Sequence, residues 1–187
     1  MIDPNSIQVT EHFTTPILEV MLPNFKGLNL QINSDLQDAP PVPMGKFNMF
    51  DHTGPGIDRL RRHVLELSET LSEVRPLSIN RGWLNKTAPH ERETPHWHRS
   101  VHIIAVYYLY VPGPNAGDLL VNDPRGANGW FRRTEGDRTG RAFIRIKPVV
   151  GKLVLMPGYL IHSVETNLES DFRVSIAINV ENRDTSS

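Results

Sequence analysis

Between Pro95 and Tyr110 the chain reads Pro-His-Trp-His-Arg-Ser-Val-His-Ile-Ile-Ala-Val-Tyr-Tyr-Leu-Tyr. Two histidines one residue apart run into a segment of β-branched and aromatic residues, a strongly β-prone composition. Side chains alternate faces along a strand, so His96 and His98 are expected to point one way and Trp97 the other. Two imidazoles so placed can share one metal ion if a third ligand arrives from elsewhere. His162 is the candidate. The sequence contains no cysteine, so thiolate ligands and disulfides are excluded, and any metal must be held by nitrogen and oxygen.

The chain changes character at Leu77. Leu77–Leu84, Val101–Val111, Asp118–Asn122, Ala142–Ile146, Lys152–Met156 and Arg173–Val180 read as strands. They are separated by turn signals at Pro112-Gly113-Pro114-Asn115, Asp123-Pro124-Arg125-Gly126 and Val150-Gly151. Many short strands with Gly/Pro punctuation predict a sandwich or small barrel. Before them, apolar residues recur at Ile57, Leu60, Val64, Leu67, Leu71 and Val74, steps of three and four that predict an amphipathic helix against a sheet. Asp51–Gly54 and Pro55 open this helix, Pro76 ends it, and His63 falls on its solvated side. Residues 1–50 hold six prolines between short β-prone pieces, Pro16–Met21 and Leu28–Ile32. The expectation is one domain: 1–50 an irregular N-terminal segment, 51–76 a buttressing helix, 77–181 a β-barrel core and 182–187 a tail.

With 187 residues, 20 basic against 21 acidic side chains and a formal charge of -1, the chain offers no bulk attraction to nucleic acid or anionic membrane. No apolar run approaches the roughly 20 residues of a membrane span. The first residues, Met-Ile-Asp-Pro-Asn-Ser, lack the basic and apolar regions of a signal peptide, so a cytoplasmic location is expected. A cationic stretch, Arg125–Lys147, reads either as a solvated loop or as the edge of a substrate mouth that favours an anion. Oligomeric state is not legible.

His162 lies in Gly151-Lys-Leu-Val-Leu-Met-Pro157-Gly158-Tyr-Leu-Ile-His162, an apolar strand and a Pro-Gly corner before a histidine that opens the next strand. The ordered set is His-x-His, Val-Tyr-Tyr-Leu, Gly-x-Leu-x-Leu-x-Pro, His162 and Arg173-Val-Ser-Ile-Ala-Ile-Asn. This set resembles the Fe(II)/2-oxoglutarate-dependent oxygenases. It is nearest to the 2-oxoglutarate/iron oxygenases of bacteria and phages, in the prolyl-hydroxylase-like branch, over about residues 77–181. The resemblance implies a mainly β fold with a flanking helix: a double-stranded β-helix, the jelly-roll or cupin-like barrel. It implies Fe(II), 2-oxoglutarate and O2 as the reacting set. The default outcome is hydroxylation of a C–H bond in a small-molecule or peptide substrate, with release of succinate and CO2. By position, His96 and His162 match the metal histidines and Arg173 the cation that grips the distal carboxylate of 2-oxoglutarate. An Arg suits that task because its planar fork pairs a carboxylate bidentately. Tyr108 matches a phenol that donates to the same carboxylate. Ser175, two residues on from Arg173 and hence on the same strand face, is expected to donate a further hydrogen bond. Trp83, Asn85, His102 and Trp130 are expected on the substrate side.

One position departs from the family pattern. His98 stands where a carboxylate usually does; the third ligand is therefore His98, a nearby Glu93 or Asp118, or His102. Two other readings remain open at this point. A cupin-type three-histidine metalloprotein would need no 2-oxoglutarate, although Arg99–Tyr110 lacks the glutamate such motifs carry. A non-catalytic β-barrel is the other.

Overall fold

The computed structural model describes residues 14–37, 48–125 and 142–182. Two antiparallel sheets face each other, with helices against the outer side of the larger. In chain order the strands are β1 (Leu18–Met21), β2 (Leu77–Thr87), β3 (Glu93–His96), β4 (Ile103–Tyr110), β5 (Leu119–Asn122), β6 (Phe143–Ile146), β7 (Lys152–Pro157), β8 (His162–Val164) and β9 (Arg173–Asn182). The five-stranded sheet runs β1-β7-β4-β9-β2 and the four-stranded sheet β3-β8-β5-β6. This is the double-stranded β-helix that the family resemblance implies, and it agrees with the sandwich or small barrel read from the strand pattern.

Alternation sorts the core into two layers. Ile103, Ala105 and Tyr107 of β4, with Ile176 and Ile178 of β9, pack against Leu28, Ile32, Ile57, Leu60 and Val64 of the helices. Their neighbours Ile104, Tyr108 and Ala177 turn into the space between the sheets, against Leu119, Val121 and Ile146. A strand covered on both faces has no solvent side to make polar, which is why β4 reads as an unbroken apolar run. At roughly 1.5–3 kcal/mol per fully buried aliphatic side chain, this double burial is the main force that fixes the register of the site-bearing strands.

The N-terminal segment is more regular than expected. Leu28–Ile32 is not β-prone chain but part of α1 (Phe25–Leu36). The alternation Leu28, Leu30, Ile32 suggests a strand, yet Leu30 is 73% exposed while Leu28 and Ile32 are buried. Helical spacing of four therefore wins over strand spacing of two. The second helix, α2 (Pro55–Leu71), is shorter than the expected 51–76. Its first-turn amides at Gly56 and Ile57 donate to the Asp35 carboxylate at 2.8 and 2.9 Å, so α1 caps α2 where Gly54 has no side chain to do so. The helix stops at Leu71, before Pro76 is reached, so that proline does not end it. His63 is not fully solvated either: its Nε2 is buried without a partner, and burial lowers its pKa.

Candidate metal centre and cosubstrate pocket

The antiparallel pairing of β3 with β8 sets His96 opposite His162, with ring centroids 4.4 Å apart. His98 joins them at 5.4 Å from His96 and 5.2 Å from His162. It does so from a loop, because β3 ends at His96; strand alternation is not what aims it. Its amide donates to Gly158 O at 3.0 Å, so the loop after β3 is laced to the turn after β7. A Cβ on Gly158 would stand 2.2 Å from Val101 O, and the two loops can approach only because that residue is glycine. One donor atom from each of the three rings lies within 4.8 Å of the others.

Each ring has one nitrogen occupied. His96 Nδ1 lies 2.8 Å from Thr94 O, His162 Nδ1 2.9 Å from Leu160 O, and His98 Nδ1 2.9 Å from Asn179 Oδ1. An oxygen acceptor requires Nδ1 to carry the proton, which leaves the Nε2 lone pair of every ring free for a cation. Burial pushes the His162 pKa down to about 4, against a smaller upward pull from the Leu160 carbonyl. Burial also lowers that of His98, aided by His96 and opposed by Asn179. Both rings are thus neutral at pH 7, the form a metal needs. Neither Glu93 nor Asp118 belongs to this cluster. Glu93 lines the same cavity, whereas Asp118 lines a separate, wider groove.

The cavity, about 140 Å³, extends from the three histidines to Arg173. Arg173 begins β9 and is 2% exposed. One guanidinium nitrogen donates to Gly117 O at 3.2 Å and another to Thr87 Oγ1 at 2.8 Å, while Nε has no partner. Gly117 presents that carbonyl from a left-handed backbone, φ 87°, where an added Cβ would collide with Glu165 O. Among the described residues no carboxylate forms a salt bridge with Arg173. Burial lowers its pKa, opposed by Tyr108 and Glu93. Tyr108 and Ser175 are buried beside it, both lining the cavity. Burial raises the Tyr108 pKa well above the ordinary phenol value, so its hydroxyl keeps its proton and can donate.

Trp83 and Asn85 of β2 also line the cavity. Trp83 stacks on His98 at 5.8 Å and donates from Nε1 to Asn85 Oδ1 at 2.9 Å. His102 does not join them. Its Nε2 is 2.6 Å from Ser72 Oγ at the end of α2, on the helix-covered side. It belongs neither to the three-histidine cluster nor to the cavity lining, against the expectation of a ligand or a substrate contact. Trp130 lies outside the described residues, as do Arg132, Arg133, Arg138 and Arg141 of the cationic stretch. Of its described members, Arg125 pairs with Asp123 and Arg145 with Glu165. Sequence reading missed Thr87, for which no signal exists, and Asn179, which the alternation Arg173, Ser175, Ala177, Asn179 could have found.

Residues 81–179, just over half of the chain, match the protein family described as "Putative 2OG-Fe(II) oxygenase". The chain belongs to that family. The oxygenase is therefore an enzyme that uses Fe(II), 2-oxoglutarate and O2, which removes the non-catalytic barrel and the cupin reading without 2-oxoglutarate. Similar solved structures agree with the fold. HygX from Streptomyces hygroscopicus, with nickel, 2-oxoglutarate and hygromycin B bound, has a TM-score of 0.67 at 14% identity, over 91% of this chain and 84% of its own. A prolyl-4-hydroxylase from Pseudomonas putida gives 0.61 at 13%, over 91% and 87%. The non-heme alpha ketoglutarate dependent carbocyclase SnoK from nogalamycin biosynthesis gives 0.66 at 12%, over 90% and 80%. No curated protein matches the sequence. None of the described helices is long and apolar enough to cross a membrane.

Proposed function

We propose that this oxygenase hydroxylates a C–H bond of a small-molecule or peptide substrate. His96, His98 and His162 would hold Fe(II), and Arg173, Tyr108 and Ser175 the distal carboxylate of 2-oxoglutarate. The observation that carries the reading is Arg173: a buried guanidinium, its Nε unpartnered, in the same cavity as three imidazoles with free Nε2 atoms. A buried charge satisfied only by neutral oxygens is costly. A carboxylate arriving from the cavity removes that cost and is fixed in direction by the guanidinium fork.

Bound iron would supply the oxidative chemistry, in which one atom of O2 goes to succinate and the other to the substrate as CO2 leaves. The protein's residues do the placing. Carbonyl contacts at three Nδ1 atoms orient the ligand rings. Imidazole ligands, unlike a carboxylate, would bring no negative charge, leaving that of the cation for a dianionic cosubstrate to balance. Tyr108, protonated and buried, and Ser175 add hydrogen bonds beside Arg173, while Ile104, Val106 and Leu119 keep the walls between the two ends apolar. Trp83 and Asn85 are the described residues placed to meet the substrate.

The test is to load the protein with Fe(II) under anaerobic conditions, add 2-oxoglutarate and then air, and quantify succinate. Arg173→Ala should turn over 2-oxoglutarate poorly while still binding metal. Equal turnover by that variant and the parent would sink the assignment. Gain of one oxygen atom from ¹⁸O2 in components of a metabolite or peptide mixture tests hydroxylation itself.

A further inference from the structure

The three imidazoles are not held in the same way. His96 at the end of β3 and His162 at the start of β8, both in the four-stranded sheet, each lean on the main-chain carbonyl two residues earlier, Thr94 O and Leu160 O. His98 has left β3 and has no such support. Its ring reaches across the mouth of the barrel to the side chain of Asn179, 81 residues on, in β9 of the five-stranded sheet. Asn179 is half-buried at the opposite end of β9 from Arg173 and faces the same way, with Ser175 and Ala177 between.

We infer that Asn179 is the positioning residue of the metal centre, fixing the ring and tautomer of His98 so that its Nε2 lone pair faces the other two histidines. This inference rests on the proposed reading in which His98 is a metal ligand. The amide must present Oδ1, as it does here. Were it turned so that Nδ2 donated to Nδ1, the ring proton would sit on Nε2 and block the cation. A backbone carbonyl cannot be turned in this way, so one side chain governs the only ligand that a strand does not aim.

The test uses the full chain without a histidine tag, with Co(II) alone as the probe, measured by competition against a chromophoric chelator. Asn179→Leu, near in size but without an acceptor, should bind Co(II) roughly 10–100-fold more weakly. Asn179→Asp, which keeps the oxygen, should match the parent or bind more tightly, and His98→Gln should weaken binding. A purely structural role would lower the unfolding temperature of both Asn179 variants and leave Co(II) affinity alone. Parent-like affinity in Asn179→Leu beside a weakened His98→Gln overturns the inference and leaves the ligand reading intact. Parent-like affinity in His98→Gln overturns both. If Asn179→Leu does not fold, ring ¹⁵N spectra of the unsubstituted apoprotein at pH 8 decide. The signals lost in His98→Gln should report a proton on Nδ1, and a proton on Nε2 overturns the inference.

Discussion

The two ends of the cavity are built on different plans. Around Arg173 the surroundings are buried: its partners Thr87 on β2 and the Gly117 carbonyl, and the cavity-lining Tyr108 on β4 and Ser175 on β9. These strands are central or long, and their register is set by core packing on both faces of the larger sheet. At the other end only His162 is buried, and His96 and His98 are half-open. Their strands are short, one of the histidines sits in a loop, and the rings meet through pairings between elements that have little else in common. The Arg173 end is thus preorganised by the fold, while the three-histidine end is assembled at its margin, where a bound ion would complete it.

That contrast can be broken, and the largest effect should come from the metal end. His162→Ala should reduce bound metal to background in elemental analysis of protein loaded anaerobically, because the two remaining imidazoles are half-open. Retention of stoichiometric metal would show that His162 is not the anchor. At the other end, Arg173→Ala should weaken 2-oxoglutarate by about 3–5 kcal/mol in calorimetry of the metal-loaded protein, with metal content preserved. A change in both quantities would mean that the two ends are not independent. Arg173→Lys should not restore the affinity, since an ammonium cannot make the two-pronged contact.

Acid should act on the metal end first. In the metal-free protein His162 has a pKa near 4, against roughly 6.5 in the unfolded chain. Below 6.5 the unfolded chain takes up a proton that the folded site refuses, so stability is full above that pH and falls as pH drops toward 4. The loss amounts to about 3 kcal/mol, read as a drop in the denaturant midpoint of the apoprotein that a His162→Phe variant should lack. Tyr108→Phe is expected to weaken 2-oxoglutarate by about 1.5–3 kcal/mol, one hydrogen bond to a charged group. The smallest effect belongs to His102→Ala: unchanged succinate formation, since its ring bonds Ser72 on the far side of the sheet. A drop in turnover there would bring the residue back to the site.

What the sequence made legible follows the same divide. The run Val101–Val111 announced a strand because β-branched and aromatic residues leave a compositional mark, and the structure adds that both its faces are covered. Arg173 could be singled out from its distance to His162 within a known order of motifs, and it lines the same cavity as the histidines. Long-range meetings leave no such mark. Nothing near His98 in sequence says that its partner is Asn179, and nothing in Thr87 says that its hydroxyl will face a guanidinium. His102 shared the parity of the ligands but not their side of the sheet, since parity holds only along one continuous strand and β4 begins at Ile103. In α1, Leu28 and Ile32 satisfied two periods at once, and only Leu30, left in water, separates them.

One consequence lies in β3. It is the outermost strand of its sheet and touches β8 at only two registered positions, one of them His96 with His162. An ion bound across that pair would act as a rivet on a loosely stitched border, adding a tightness that grows with the logarithm of its free concentration. Scarcity of the cation would then do more than idle the enzyme: it would let this border peel, and amide exchange along Glu93–His96 would register how well supplied the protein is.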